Sequence, residues 1–215
     1  PSKVGVVGGA PLGGQRGGHG PAWRPTGPVW EDWDTAGYLR HIPGVFEAVR
    51  AEFVPGLTLL HDAHHRLTPN QGAQLGRALE PFDLFWLEDC TPAENQEGLR
   101  RVRSQTTTPL AIGEVFNTVF DYQTLITEQL IDYVRTSPTH AGGITGLRKI
   151  LDFAAISQIK SGIHGPTAVS PVGMAAALHL DVAIHHFGTQ HHLRRTETAR
   201  RGSPHQTTSP HGTRP

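Results

Sequence analysis

The sequence predicts an α/β protein whose parallel strands and covering helices form an incomplete (β/α) barrel of about six βα units. Three observations predict it: short apolar runs alternate with segments of helical spacing, polar residues follow at the C-terminal ends of those runs, and the strand count falls short of eight. Such alternation implies a parallel sheet covered by helices. The polar strand ends favour a TIM-type barrel over an open doubly wound sheet, because a barrel gathers its strand ends around one mouth. A closed barrel needs eight strands and typically about 250 residues, whereas this chain has 215.

Residues 1–34 are dominated by Gly and Pro, with Trp23, Trp30 and Trp33 interspersed, and read as a long loop. Residues 36–52 carry Tyr38, Leu39, Ile42, Val45, Phe46 and Val49 at helical spacing, and the apolar run Leu57–Leu60 then ends at His61 and Asp62. Thr68-Pro69 opens a helix to about Leu79, ahead of the strand at 84–87, and Thr91-Pro92 opens another to about Val102, ahead of the strand at 110–113. A helix near 121–129, a strand at 131–135, a helix near 144–157, a strand at 158–162, a helix at 171–179 and a last strand near 181–185 complete the rhythm. The stretch after Gln190 is basic, rich in His, Thr and Pro and poor in large apolar residues, so 191–215 is expected to be a disordered tail, such as a shifted reading frame or a truncated gene would produce.

Composition removes several classes of function. Lys plus Arg equals Asp plus Glu at 19 each, which gives no overall reason to bind nucleic acid or an anionic membrane. No run of eighteen apolar residues occurs and the start lacks the pattern of a secretory signal, so a cytoplasmic protein is expected. Cys90 is the only cysteine, which rules out an intrachain disulfide and agrees with a reducing compartment. The Gly-rich stretch at 5–14 neither follows a convincing strand nor opens a helix, which argues against a dinucleotide fingerprint, and the Gly-rich stretch at 140–146 is most simply a tight turn. Fourteen histidines raise zinc or nucleic acid as a role for the tail, but their spacings match no paired Cys/His ligands and no HExxH.

Asp62, Glu88 and Glu114 recur every twenty-six residues, one βα unit per step, and so place three carboxylates on successive strand ends. Any one of them could simply cap the following helix; three in step point to a hard divalent cation, Mg²⁺ above all, since oxygen ligands with open positions suit it. His64 lies two residues beyond Asp62 and can point into the same mouth for acid or base work, or serve as a cap or surface histidine, while His65 reads as structural. Arg135 and His164 end later strands. Arg135 can hold a substrate carboxylate or hydroxyl, or pair with a metal-ligand carboxylate.

The stretches HDAHHRLTP (61–69), FWLEDCTPAENQE (85–97), TTTPLAIGEVFN (106–117), EQLIDYVRTSPTHAGGITGLRKILDFAA (128–155) and HGPTAVSPVGMAAALHLD (164–181) resemble the mannonate dehydratase group of the enolase superfamily, over about residues 35–190. The resemblance implies a modified TIM barrel with an α+β capping domain, and Mg²⁺-dependent loss of water from a sugar acid such as D-mannonate to give a 2-keto-3-deoxy acid. Asp62, Glu88 and Glu114 would then ligate the metal, His64 would protonate the departing hydroxyl, and His64, Arg135 and His164 would line the substrate pocket.

The sequence also departs from that pattern. The chain is expected to lack the N-terminal capping domain, and the family's base, a tyrosine assisted by an arginine, has no counterpart at Val4-Gly5-Val6, where its segment aligns. Ala168 and His191 stand where relatives carry an aspartate and a glutamate. Two functions follow: a sugar-acid dehydratase, or a catalytically inactive remnant that binds a divalent cation or sugar acid without turnover. An incomplete barrel exposes strand edges and helix faces, so a homo-oligomer is the expected assembly.

Overall fold

A computed structural model describes residues 3–7, 34–53, 57–165 and 169–192. In chain order the elements are β1 (Lys3–Val7), α1 (Thr35–Glu52), β2 (Thr58–Asp62), α2 (Pro69–Leu79), a 3₁₀ turn (Glu80–Phe82), β3 (Trp86–Glu88), α3 (Gln96–Arg103), β4 (Leu110–Ile112), α4 (Val119–Thr127), β5 (Tyr133–Val134), α5 (Gly143–Ile156), β6 (Lys160–Gly165), α6 (Pro171–Ala183) and β7 (Phe187–His192). The strands form one sheet in the order β1 to β7, every pair parallel. The sheet is an open, curled part of a barrel with β1 and β7 at its edges, and the described residues contain no capping domain.

Local chemistry explains where the helices begin. The Thr68 side chain accepts from the Gln71 amide while the Gln71 side chain accepts from the Thr68 amide, a reciprocal cap with Pro69 at the first helical position. At α1 the Asp34 carboxylate accepts from Gly37 N at 2.8 Å. The expected start of α3 at Thr91-Pro92 is corrected. Residues 92–95 form a turn, closed by Asn95 N donating to Pro92 O, and the Asn95 side chain caps the helix through Gly98 N.

Two strands also differ from expectation. Lys3–Val7 pairs with Thr58–Asp62 along its whole length, so part of the expected 1–34 loop is a strand, giving seven rather than about six. Its three valines supply β-branched side chains, but the surrounding glycines mask the pattern in sequence. At the other end α6 runs to Ala183 because Ala177, Leu180 and Ile184 recur at helical spacing and are buried, and the last strand follows at Phe187–His192 instead of 181–185. That strand crosses Gln190; residues 8–33 and 193–215 lie outside the described residues.

Strand side chains alternate between two faces. Leu59, Leu87, Leu110, Ile112, Val134 and Ile163 point outward into the helices, where they join Phe46, Leu75, Leu99, Val102, Leu125, Leu147 and Leu151 in the main core. Leu60, Trp86, Ala111 and Tyr133 form a separate inner layer, with Phe85 packed against it. Two residues further along, the inward positions become Asp62, Glu88, Arg135 and His164. The barrel interior is therefore stratified, aromatic below and charged above, as layered filling of such barrels requires. Gly162 belongs to this stacking: a Cβ there would lie 3.0 Å from the Trp86 ring and 3.3 Å from Arg135 Cδ. No helix among the described residues is long and apolar enough to cross a membrane.

Candidate metal centre

Asp62 and Glu88 are the last residues of β2 and β3 and stand opposite each other in register. Glu114 lies two residues past β4, beyond Gly113, whose φ of 127° lets the chain turn sharply. A Cβ on Gly113 would fall 1.8 Å from the Tyr122 hydroxyl, which donates to Gly113 O at 3.0 Å. Arg135 follows β5, its amide bonded to Ile112 O, and His164 lies near the end of β6, its amide bonded to Thr136 O.

Side chains from three strand ends converge. Glu88, Glu114 and His164 offer ligand atoms all within 4.8 Å of one another, and so, separately, do His65, Asp89 and Glu114. Glu114 belongs to both groups: Oε2 lies 3.2 Å from His164 Nε2, and Oε1 lies 3.3 Å from His65 Nε2. Glu88 is held on both oxygens, with Oε1 accepting from Arg135 Nε at 2.6 Å and Oε2 from Trp86 Nε1 at 3.0 Å.

Asp62 pairs with His64: the His64 amide donates to Oδ1 at 2.8 Å and Nε2 lies 3.0 Å from Oδ2. The closely spaced groups are Glu88, Glu114 and His164, and His65, Asp89 and Glu114. Asp62 still shares their electrostatic environment, since burial first and the charge of Glu88 next push its carboxyl up to about 7. The hydrogen bond from His65 does the opposite to Glu114, holding it down at about 2, and the same bond lifts His65 to about 9. Burial raises Asp89 well above the ordinary carboxylate range.

Arg135 pairs with one of the strand-end carboxylates. Its side chain is 0% exposed, bonded to Glu88 and, through Nη1, to Gly162 O at 2.6 Å, with the guanidinium 5.0 Å over the Trp86 ring. The structure thus seats it as a partner of the Glu88 carboxylate. His64 is the predicted residue most open to the mouth, its side chain 38% exposed, whereas His164 is 12% exposed. Sequence reading missed Trp86 and Asp89 and left His65 structural. The i, i+2 step from Trp86 to Glu88 was a usable signal; the roles of His65 and Asp89 depend on a turn between strands and left none.

Four carboxylates and three histidines thus crowd one end of the sheet against one buried arginine. Asp89 Oδ2, buried, makes no hydrogen bond. Hard oxygen donors joined by imidazole, with negative charge in excess, form a candidate divalent-cation site. A cavity of about 550 Å³ lined by Phe82, Phe85 and Tyr133 opens at the opposite end of the strands, away from this cluster.

The family model described as enolase C-terminal domain-like matches residues 31–211, a span that runs past Gln190. The chain belongs to the enolase superfamily. The curated relatives it matches include D-galactonate dehydratase family members and D-mannonate dehydratases. A D-galactonate dehydratase family member of Pseudarthrobacter chlorophenolicus is 64% identical over 193 residues, covering 90% of this chain and 47% of that protein. The D-mannonate dehydratase of Rhizorhabdus wittichii is 52% identical over 178 residues, covering 83% and 44%. Among solved structures, an enolase from Pantoea ananatis with bound D-gluconate and Mg is similar at a TM-score of 0.74 and 38% identity, covering 77% of this chain and 40% of that one. The chain therefore spans about half the length of the curated superfamily relatives it matches.

Proposed function

We propose that this chain carries the metal-binding part of a Mg²⁺-dependent dehydratase that converts a sugar acid of the D-mannonate type to its 2-keto-3-deoxy product. The observation that carries the reading is the convergence of Glu88, Glu114 and His164 within 4.8 Å at the mouth, beside the Asp62–His64 pair. Asp62, Glu88 and Glu114, with His164 adjacent, are the residues that would hold the ion. Mg²⁺ would supply Lewis-acid stabilisation of the negative charge that develops on the substrate carboxylate when the neighbouring proton is lost.

The chain's own residues account for one half of the proton traffic. Hydroxide leaves poorly unless it receives a proton, and His64 would give one. Its Nε2 faces Asp62 Oδ2 at 3.0 Å, and part of the ring is open to the mouth. Asp62 orients the ring through that contact and through its bond to the His64 amide. His164 contributes a polar edge for a substrate hydroxyl, and Arg135 contributes through Glu88, whose carboxylate it fixes. The single thiol, Cys90, is buried and free, which suits a cytoplasmic setting.

A second reading, binding without turnover, is favoured by the tyrosines. The hydroxyls of Tyr38 and Tyr122 are buried and engaged, the first with His61 Nε2 and the second with Gly113 O, and Tyr133 lies in the inner layer below Arg135. Incubating the chain with Mg²⁺ and D-mannonate, and assaying for the 2-keto-3-deoxy acid, separates the two. Product formation that Glu114→Gln abolishes supports the dehydratase, whereas cation binding without product supports the second reading.

A further inference from the structure

We infer that His65 is a positioning residue, whose imidazole fixes the Glu114 carboxylate so that only one of its oxygens is presented to the mouth. The inference rests on Glu114 being a cation ligand, as proposed above, but concerns a residue outside the ligand set.

Glu114 needs such support. It stands beyond the end of β4, after a glycine turn at φ 127°, so no strand pairing sets its side-chain direction. His65 supplies a fixed point. It follows His64 in a turn where both residues have positive φ, 50° and 59°, and its amide donates to Asp89 O at 2.6 Å, tying the end of β2 to the end of β3.

The ring then faces acceptors on both sides. Nδ1 lies 3.3 Å from Thr91 O, and Nε2 lies 3.3 Å from Glu114 Oε1 and 3.5 Å from Asp89 Oδ2. The ring is thus held between the Thr91 carbonyl and the Glu114 carboxylate. Asp89 is buried completely; its Oδ1 receives the Gly113 amide at 3.4 Å, while Oδ2 makes no hydrogen bond and faces the His65 ring. The order of support runs from the main-chain oxygens of Asp89 and Thr91 to His65 and from its ring to Glu114 Oε1, which leaves Oε2 on the side of His164. Adjacent histidines thus take separate tasks, His64 on Asp62 in the mouth and His65 behind Glu114. Groups that orient a metal ligand in this way typically change metal affinity by roughly 10- to 100-fold when removed.

Calorimetric titration of the 215-residue chain with Mg²⁺ alone tests this, using His65→Ala, His65→Gln, Glu114→Gln and the double variant His65→Ala/Glu114→Gln. We expect His65→Ala to weaken binding by about 10- to 100-fold and His65→Gln, whose amide can still donate to Oε1, to recover part of the loss. In the Glu114→Gln background, His65→Ala should cost nothing further. Far-UV circular dichroism checks folding, and if His65→Ala does not fold, His65→Gln alone and combined with Glu114→Gln gives the same comparison. Unchanged affinity in a folded His65 variant, or losses that multiply in the double variant, would overturn the inference and leave the ligand assignment standing. No saturable binding by the unsubstituted chain would overturn both.

Discussion

Arg135 donates to Glu88 at 2.6 Å with both side chains withdrawn from solvent, at 0% and 2% exposure. A buried carboxylate is costly unless compensated, and here the compensation is complete, because Trp86 takes the second oxygen. The pair sits where the aromatic layer of the barrel meets the charged one. It therefore links the packing of the interior to the direction of a proposed metal ligand.

Removing one partner leaves the other charge buried alone, which typically costs about 3–5 kcal/mol. Arg135→Met is expected to lower unfolding free energy in urea by that order. Trp86→Phe, which removes the indole donor and also part of a fully buried ring, should cost at least about 1.5–3 kcal/mol. Near-neutral Arg135→Met would show that the pair contributes nothing to holding the strand ends.

The turn before Glu114 makes a second prediction. Gly113→Ala introduces a Cβ 1.8 Å from the Tyr122 hydroxyl oxygen at a backbone angle that L-residues avoid, and should destabilise by more than about 1 kcal/mol. Tyr122→Phe removes the nearest clashing atom but leaves ring carbons 2.5 and 2.7 Å from that Cβ, so relief is partial. The double variant should therefore be somewhat more stable than the sum of the two single losses predicts, as measured by urea denaturation of all three proteins.

Metal-free stability should fall as pH rises from 5 to 9. Asp62 and buried Asp181 are each lifted to about 7 by loss of hydration, so the folded state favours their protonated forms, and that advantage disappears as pH passes from about 4 to 7. His65, raised to about 9 by its bond to Glu114, contributes fully below the ordinary histidine range and loses its contribution through pH 9. Glu114, lowered to about 2, loses its own contribution only as pH falls towards 2, outside this window. Asp181→Asn should flatten part of the slope without affecting Mg²⁺ binding. Stability rising across pH 5 to 9 would contradict these assignments.

Leu178 and Val182, four residues apart on α6, are 55% and 81% exposed and share one helix face beside the β7 edge. Light scattering at increasing concentration should detect self-association, and Val182→Glu should reduce it. A monodisperse monomer at all concentrations would contradict this.

Much of this arrangement was legible in the sequence because a parallel barrel converts a linear spacing into a spatial one. The step of twenty-six residues placed Asp62, Glu88 and Glu114 at successive strand ends. What the spacing could not convey was rotamer direction. Asp62 pairs with His64, and His164 lies beside Glu88 and Glu114. His65 and Asp89 were hidden because their meeting depends on two left-handed turns, which no periodicity records. β1 escaped notice for a related reason: five residues among glycines carry too few side chains to announce a strand, and only pairing with β2 defines it.

The most direct test of the central claim is calorimetric titration of the purified chain with Mg²⁺, beside Glu88→Gln and Glu114→Gln. The account predicts saturable binding that each substitution removes or weakens strongly, showing that the strand ends hold a cation. Absence of saturable binding, or binding that both substitutions leave intact, would contradict it.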